Sequence, residues 1–368
     1  MTARLSVLCV TEHSDRPEAE TFIGLRGEGV DVHVMCAPKA RQYPRLVAAG
    51  VPVTPLEIRS RFDRKAIGNL RAELGRHRYD VVHLFNNRTV LHGLLATRGH
   101  SAKIVVYRGI VGNVSVWSPL SWLRYLNPRV DRIVCVAEAI RRYFLGLRLL
   151  GWRLPPEKVV TIYKGHDLAW YRDPPVDLAA HGIPAEAFTV CCVANWRPRK
   201  GVEVLIEAFA LLPEDAGIHL VLAGDMRSAK LEQLVAAHRY RERIHMLGTR
   251  QDAPAVAGAC DVAVLPALKR EGLPKTVIEA MAYGVPAVVT NVGGSPELVT
   301  DGVNGLVVPP ADAESLAAAI LRLRREPVLA QELGRRGKER IEREFSNRST
   351  IERTAALYRS LVDGAVGR

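Results

Sequence analysis

Short apolar runs alternate with longer amphipathic segments along almost the whole chain. In the first half the runs are Arg4 to Val10, Asp31 to Cys36, Pro52 to Leu56, Tyr79 to Leu84, Lys103 to Tyr107, Asp131 to Val136 and Lys158 to Tyr163. In the second half they are Phe188 to Ala194, Ile218 to Ala223, Arg243 to Leu247, Asp261 to Pro266, Val285 to Thr290 and Leu306 to Val308. Runs this short suit strands buried on both faces, and their alternation with helical segments predicts parallel sheets with right-handed crossovers. Ligands of such sheets bind outside the carboxyl ends of the strands. Between the two series lies GHDLAWYRDPPVD, residues 165–177, rich in turn formers. The expectation is an α/β chain of two domains, 1–165 and 178–347, joined by a hinge over 166–177. Asp312 suits the start of a helix running through Leu323, and helices over 331–343 and 348–361 close the chain.

At 368 residues the chain has room for two cores, and 48% apolar with 24% charged residues is the balance of a soluble globular protein. No apolar run approaches membrane-spanning length, and Leu5 to Val10 is too short for a signal-peptide core, so the expected compartment is the cytoplasm. Six cysteines, Cys9, Cys36, Cys135, Cys191, Cys192 and Cys260, sit in strand-like contexts without a CxxC pair, as core residues in a reducing compartment do. Charge changes the picture more. Residues 1–170 hold 26 Lys and Arg against 14 Asp and Glu, and residues 171–368 hold 25 against 25, so the whole net charge of +12 lies in the first half. That asymmetry points to a polyanionic partner: nucleic acid, anionic lipid headgroups or a phosphorylated glycan.

Candidate chemistry concentrates in Lys269 to Glu297, where Glu271 and Glu279 stand with a Gly272-Leu273-Pro274 turn between them. Proline suits the first turn of a helix, so a helix starting near Pro274 leaves Glu271 in the loop and Glu279 more than one turn along. The N–H groups of Lys275 and Thr276 then carry the positive helix end toward that loop, a ready site for an anion. Gly293-Gly294 opens a second turn where backbone can approach a ligand.

This stretch resembles the signature of family 4 of the retaining, nucleotide-sugar-dependent glycosyltransferases, whose GT-B fold pairs two facing Rossmann-like domains. The resemblance is specific from Val190 to Phe345 and weak before Gly165. It implies that Glu271 contacts the donor sugar, that Glu279 takes the ribose hydroxyls, and that the amides of the 272–276 turn take sugar and phosphate oxygens. It implies a closing helix, 348–363, that returns to the first domain. The family binds the donor diphosphate with a Lys and an Arg five residues before it. Lys200 matches the first, but Asn195 stands at the second position, which leaves Arg197 or Arg199 to supply the other cation. Gly224 and Arg250 lie on the strand edge where the family seats the base. The family's Gly-rich first turn is here TEHSDRPEAET, so either Thr11 and His13 stand in for it or the second half holds the phosphate alone.

In the first half Arg108 occupies what looks like the family's sugar-facing histidine position. An arginine cannot act as a base, so its expected task is to grip an anionic acceptor or the leaving phosphate. His83, at a strand end, and Arg124 are further acceptor-side candidates. SVWSPLSWLRYLNPR and RRYFLGLRLLGWR combine arginines with Trp and Leu, as amphipathic helices lying on an anionic inner-membrane surface do. There is no Asp-x-Asp and no cluster at metal spacing, so no metal or other cofactor is expected. The expected activity is transfer of a sugar from a nucleotide sugar, with retention, to a lipid-linked or surface glycan such as a lipopolysaccharide core. Two other classes stay open. A nucleotide-sugar epimerase would turn over donor without acceptor, and a basic nucleic-acid-binding protein would explain the charge but lacks a recognition motif.

Overall fold

The structure is a computed structural model and describes residues 4–366. The chain divides into two compact units, one formed by the residues up to Gly165 with those from Phe345 on, the other by His166–Glu344.

The first unit is built on β1 (Leu5–Val10), β2 (Val30–Cys36), β3 (Val53–Pro55), β4 (Val81–Leu84), β5 (Lys103–Arg108) and β6 (Arg132–Cys135). After them come β7 (Arg148–Leu149), β8 (Trp152–Arg153) and β9 (Val159–Thr161). Seven of these form one parallel sheet in the order β3-β2-β1-β4-β5-β6-β9. The second unit carries β10 (Phe188–Val193), β11 (Ile218–Ala223), β12 (Ile244–Gly248), β13 (Val262–Leu265), β14 (Ala287–Thr290) and β15 (Leu306–Val308). They pair in parallel in the order β12-β11-β10-β13-β14-β15. Both sheets are the predicted ones. Helices cover both faces, which is why Val7, Leu8, Cys9 and Val10 are all fully buried although their side chains alternate. All six cysteines are free and buried in this way.

The strand order reverses between β1 and β4 and again between β10 and β13, and the crevice beyond such a reversal is where open parallel sheets bind ligands. A recurring carboxylate sets the register around these central strands. Asp80, Asp131 and Asp261, each just before a strand, accept the N–H of Ser6, Ile104 and Thr189 at 2.8, 2.8 and 2.7 Å. Each N–H starts the neighbouring strand and would otherwise meet no ladder partner.

The final helix, Asn347–Val366, returns to the first unit against the helix Arg16–Gly27. A Cβ on Gly24 would lie 2.3 Å from Ile351 Cδ1, so the glycine permits the close approach. Asn347 Nδ2 donates to the Pro17 carbonyl at 3.3 Å and to Thr21 Oγ1 at 3.2 Å.

The segment 166–177 groups with the second unit, where Val176 N donates to the Ala255 carbonyl at 3.3 Å and Tyr283 Oη to that of Asp173 at 3.1 Å. One expectation changes. The basic stretch 141–153 is not one helix. The helix Glu138–Leu145 buries Ile140 and Phe144 and ends at Gly146, after which β7 and β8 pair antiparallel around a turn at Leu150-Gly151. The earlier basic stretch forms only the short helix Pro119–Trp122 and turns.

Replacing Asp261 with alanine leaves the N–H and hydroxyl of Thr189 without their carboxylate, and is expected to cost about 2 kcal/mol of stability. Thermal unfolding of Asp261→Ala beside Asp261→Asn checks it, with the amide variant expected in between.

Candidate active site

Beyond the reversal between β10 and β13, two loops are locked together. Gly201 has φ of +68°, and a Cβ there would lie 2.0 Å from the Pro266 carbonyl oxygen. Leu268 N donates to the Arg199 carbonyl at 2.8 Å. On its other side the 266–274 loop meets the Gly293-Gly294 turn. A Cβ on Gly293 would stand 2.1 Å from the Glu271 carbonyl oxygen, and Gly294 N donates to the Gly272 carbonyl at 3.0 Å. The approach of the Glu271 backbone by itself requires a glycine at Gly293.

This clamp fixes where Glu271 points. Its carboxylate, on a residue 4% exposed, takes Arg199 NH1 at 2.8 Å and Lys200 Nζ at 2.9 Å on the same oxygen. Arg270, immediately before it, has φ of +62°, backbone strain of roughly 1–3 kcal/mol that the clamp holds in place. The sequence reading missed this residue, since nothing in its side chain marks the strain. Arg197 and Arg199, left as alternatives, now separate. Arg199 joins the cluster, whereas Arg197 is exposed and donates to the Trp196 carbonyl at 3.0 Å. Asn195 accepts from Asp225 N at 3.0 Å and so ties the loop after β10 to the loop after β11.

The helix Lys275–Ala282 follows directly. Pro274 is its N-cap, not its first residue, and no side chain caps the helix. The N–H groups of Lys275 and Thr276 therefore present the positive helix end without an intrahelical partner. Glu279 is 5% exposed and paired with Lys275 Nζ at 3.0 Å. Gly224, with φ of +124°, lies where a Cβ would come 2.0 Å from the Ala194 carbonyl oxygen. Arg250 is at the same strand edge, gripped by Asp252 at 2.8 and 2.7 Å, and holds that carboxyl below the usual range. Among the described residues no group of three or more His, Cys, Asp or Glu could hold a metal ion.

The first unit's candidates fall differently. Arg108 is 3% exposed and works inside the fold: it donates to the carbonyls of Ile110, at 3.0 Å, and Gly112, to Asn87 Oδ1, and lies 4.9 Å over the Tyr125 ring. These contacts order the loop after β5 and engage the guanidinium that was expected to grip an anionic acceptor or the leaving phosphate. His83 lies in the core, its Nδ1 2.6 Å from Tyr358 Oη, beside a cavity of about 30 Å³ that Glu18 and Lys164 also line. It is thus buried and not at an open surface, and burial holds its pKa down to about 3. Arg124 is half-buried and donates to the Leu120 carbonyl at 3.2 Å, its pKa lowered by burial. In the first loop Thr11 is buried and His13 exposed. Asp15 caps the helix Arg16–Gly27, and Lys164 holds Asp15 at 2.7 Å and Glu18 at 3.6 Å, so this helix end already faces carboxylates.

The sequence matches two family models, "Glycosyltransferase Family 4" over residues 20–170 and "Glycosyl transferases group 1" over residues 175–340. The lipopolysaccharide core biosynthesis glycosyltransferase LpsE of Rhizobium meliloti is 32% identical over 62% of this chain and 64% of its own length. A protein named for colanic acid biosynthesis, WcaL of Salmonella typhimurium, is 29% identical over 58% of this chain and 54% of its own. The chain thus spans between about half and two thirds of these relatives. The structure of HepE from Anabaena in complex with UDP superposes with a TM-score of 0.78 at 21% identity, over 97% of this chain and all of that one. That likeness establishes the fold as GT-B.

A neutral buried His83 has a consequence for pH. The unfolded histidine takes a proton near pH 6.5 and the folded one only near 3, so the stability it contributes is lost as pH falls through that window. Glu18, in the same cavity, is pushed up to about 7 by burial and acts in the opposite direction above its unfolded pKa. The difference between wild type and His83→Asn isolates the histidine. Below pH 6.5 the variant is expected to gain on wild type by about 1.4 kcal/mol per pH unit, read from melting temperatures at pH 7 and at acid pH.

Proposed function

Because the chain belongs to the family 4 type of glycosyltransferases, with one family model falling on each unit, we propose that it moves a sugar from a nucleoside diphosphate sugar to an acceptor hydroxyl. The acceptor is a cell-surface glycan or glycolipid, the class for which LpsE and WcaL are named. The observation that carries this reading is the buried Glu271 carboxylate, set between Arg199 and Lys200 at the uncapped head of the helix Lys275–Ala282.

Each part has a task on such a donor. Glu271 accepts from sugar hydroxyls, and Glu279, one turn and more into the helix, accepts from those of the ribose. The diphosphate lies against the amides of Lys275 and Thr276 and draws on Arg199 and Lys200. As the bond from the anomeric carbon to the phosphate oxygen breaks, charge grows on the departing diphosphate. Fixed cations and a helix end stabilise it without reorganising, the largest single contribution in many enzymes. Lys and Arg do here what a divalent ion does elsewhere, so turnover persists with a chelator present. The first helix, capped by Asp15, leaves the phosphate to the second unit.

Both carboxylates belong to donor binding, and no side chain is assigned as a nucleophile. The acceptor oxygen therefore bonds to the anomeric carbon on the face the diphosphate leaves, and the departing phosphate oxygen takes the acceptor's proton. The configuration is retained.

A panel of nucleotide sugars should contain one that raises the melting temperature by mass action. With that donor, Glu271→Ala and Lys200→Met are expected to lower kcat/KM by about 10²–10³-fold. Arg199→Gln should fall substantially and Arg197→Gln by no more than a few fold, since only the former touches Glu271. Undiminished transfer by Glu271→Ala, or a product of inverted anomeric configuration, would overturn the reading.

A further inference from the structure

Between Ala139 and Pro156 the chain has four arginines and no acidic residue. Two of the four, Arg141 and Arg142, lie in the helix Glu138–Leu145, and the other two, Arg148 and Arg153, in the β7–β8 hairpin, which turns at Leu150 and Gly151 with φ of +45° and +82°. Positive φ at both positions is what a two-residue hairpin favours, but asparagine and glycine adopt it readily and leucine does not. Leu150 is nonetheless 97% exposed. A leucine held in a left-handed turn with its side chain in water stabilises neither the turn nor the core.

It is not isolated. Trp152 packs on Trp122 with ring centroids 4.7 Å apart, which joins the hairpin to the short helix Pro119–Trp122. Trp122 Nε1 donates to the Val116 carbonyl at 2.7 Å, and the next residue, Trp117, is 76% exposed. Arg148 and Arg153 are paired across the hairpin and both exposed.

We propose that this corner of the first unit docks on an anionic lipid bilayer, with Leu150 and Trp117 entering the interface and Arg148 and Arg153 at the level of the lipid phosphates. Tryptophan and leucine favour that depth, and each arginine near an anionic surface adds attraction. Charge argues against a second copy of the chain as the occupant, since self-pairing would bring the same arginines together. The inference extends the proposed reaction, because a lipid-linked acceptor would be met at that surface, yet it uses none of the donor-site residues.

Flotation of the full chain with phosphatidylcholine vesicles, with and without phosphatidylglycerol, tests it. Wild type is expected to float with the anionic vesicles only, and less so at high salt. Leu150→Asp is expected to weaken binding by about tenfold or more, and Arg148→Gln with Arg153→Gln by about tenfold or more, at unchanged melting temperature. Equal binding by Leu150→Asp, or no binding of wild type to anionic vesicles, overturns the proposal. So does a concentration-dependent dimer in vesicle-free solution that Leu150→Asp abolishes, since the corner would then serve self-association. Nucleotide-sugar stabilisation measured on the same samples reports the donor site separately, so the two readings fail independently.

Discussion

One carboxylate oxygen carrying two cations is the contact on which the site in the second unit turns. Taking Glu271, Arg199 and Lys200 out of water costs several kcal/mol for each charge, and their attraction offsets this only where the geometry is good. Such a cluster is therefore weak evidence of a stabilising device. Its backbone supports the same view. Gly201 against Pro266, Gly293 against Glu271 and the strained Arg270 all restrict the loop further, in a region where a relaxed turn would suffice to connect a strand to a helix. Strain and buried charge maintained together at a strand-order reversal are features of a site prepared for a ligand.

The two units share a topology and use it differently. Each has a reversal of strand order with a helix starting near it. In the first unit Asp15 completes that helix end by accepting Glu18 N, and Lys164 pairs with Asp15, so the pole is already engaged from within. In the second the helix Lys275–Ala282 has no such cap and begins with a lysine, an unfavourable charge for the positive pole. Glu279 offsets that lysine at 3.0 Å, but from the fifth position of the helix, not from its end. The uncapped amides stay available to an anion in one unit and not in the other.

The sheets were legible because buried parallel strands announce themselves as short apolar runs, and the Glu271 loop because proline and glycine mark its edges. What the residues could not reveal was how polar groups are already employed. Arg108 sits at the strand end where a functional side chain was expected, yet its guanidinium goes to carbonyls of its own loop. His83 holds the right edge of the sheet, but the returning helix places Tyr358 on it. That contact joins residues 275 positions apart, a separation no local pattern reports. Nothing in the sequence marks that Arg199, and not Arg197, pairs with Glu271 of the 266–271 loop. The hairpin at 148–153 escaped because arginine and leucine alternate there at a spacing that a helix and a twisted ribbon both tolerate.

Those internal engagements also change what the net charge of the first half means. Arg129 donates to the carbonyls of Leu94 and Thr97, and Arg141 to that of Val159 at 2.9 Å while pairing with Glu138. Together with Arg108, these cations bind the fold and contribute little to a field at the surface. A count of charges therefore overstates what a partner meets, and the informative arginines are those left exposed beside apolar side chains that are also exposed. The hairpin tip is one such place. It pairs a leucine in left-handed backbone with two exposed guanidinium groups, of which that of Arg148 donates to the Leu145 carbonyl at 2.8 Å, and under the docking proposed above the charge asymmetry would serve an apolar surface bordered by anions more than the uniformly polar backbone of a nucleic acid.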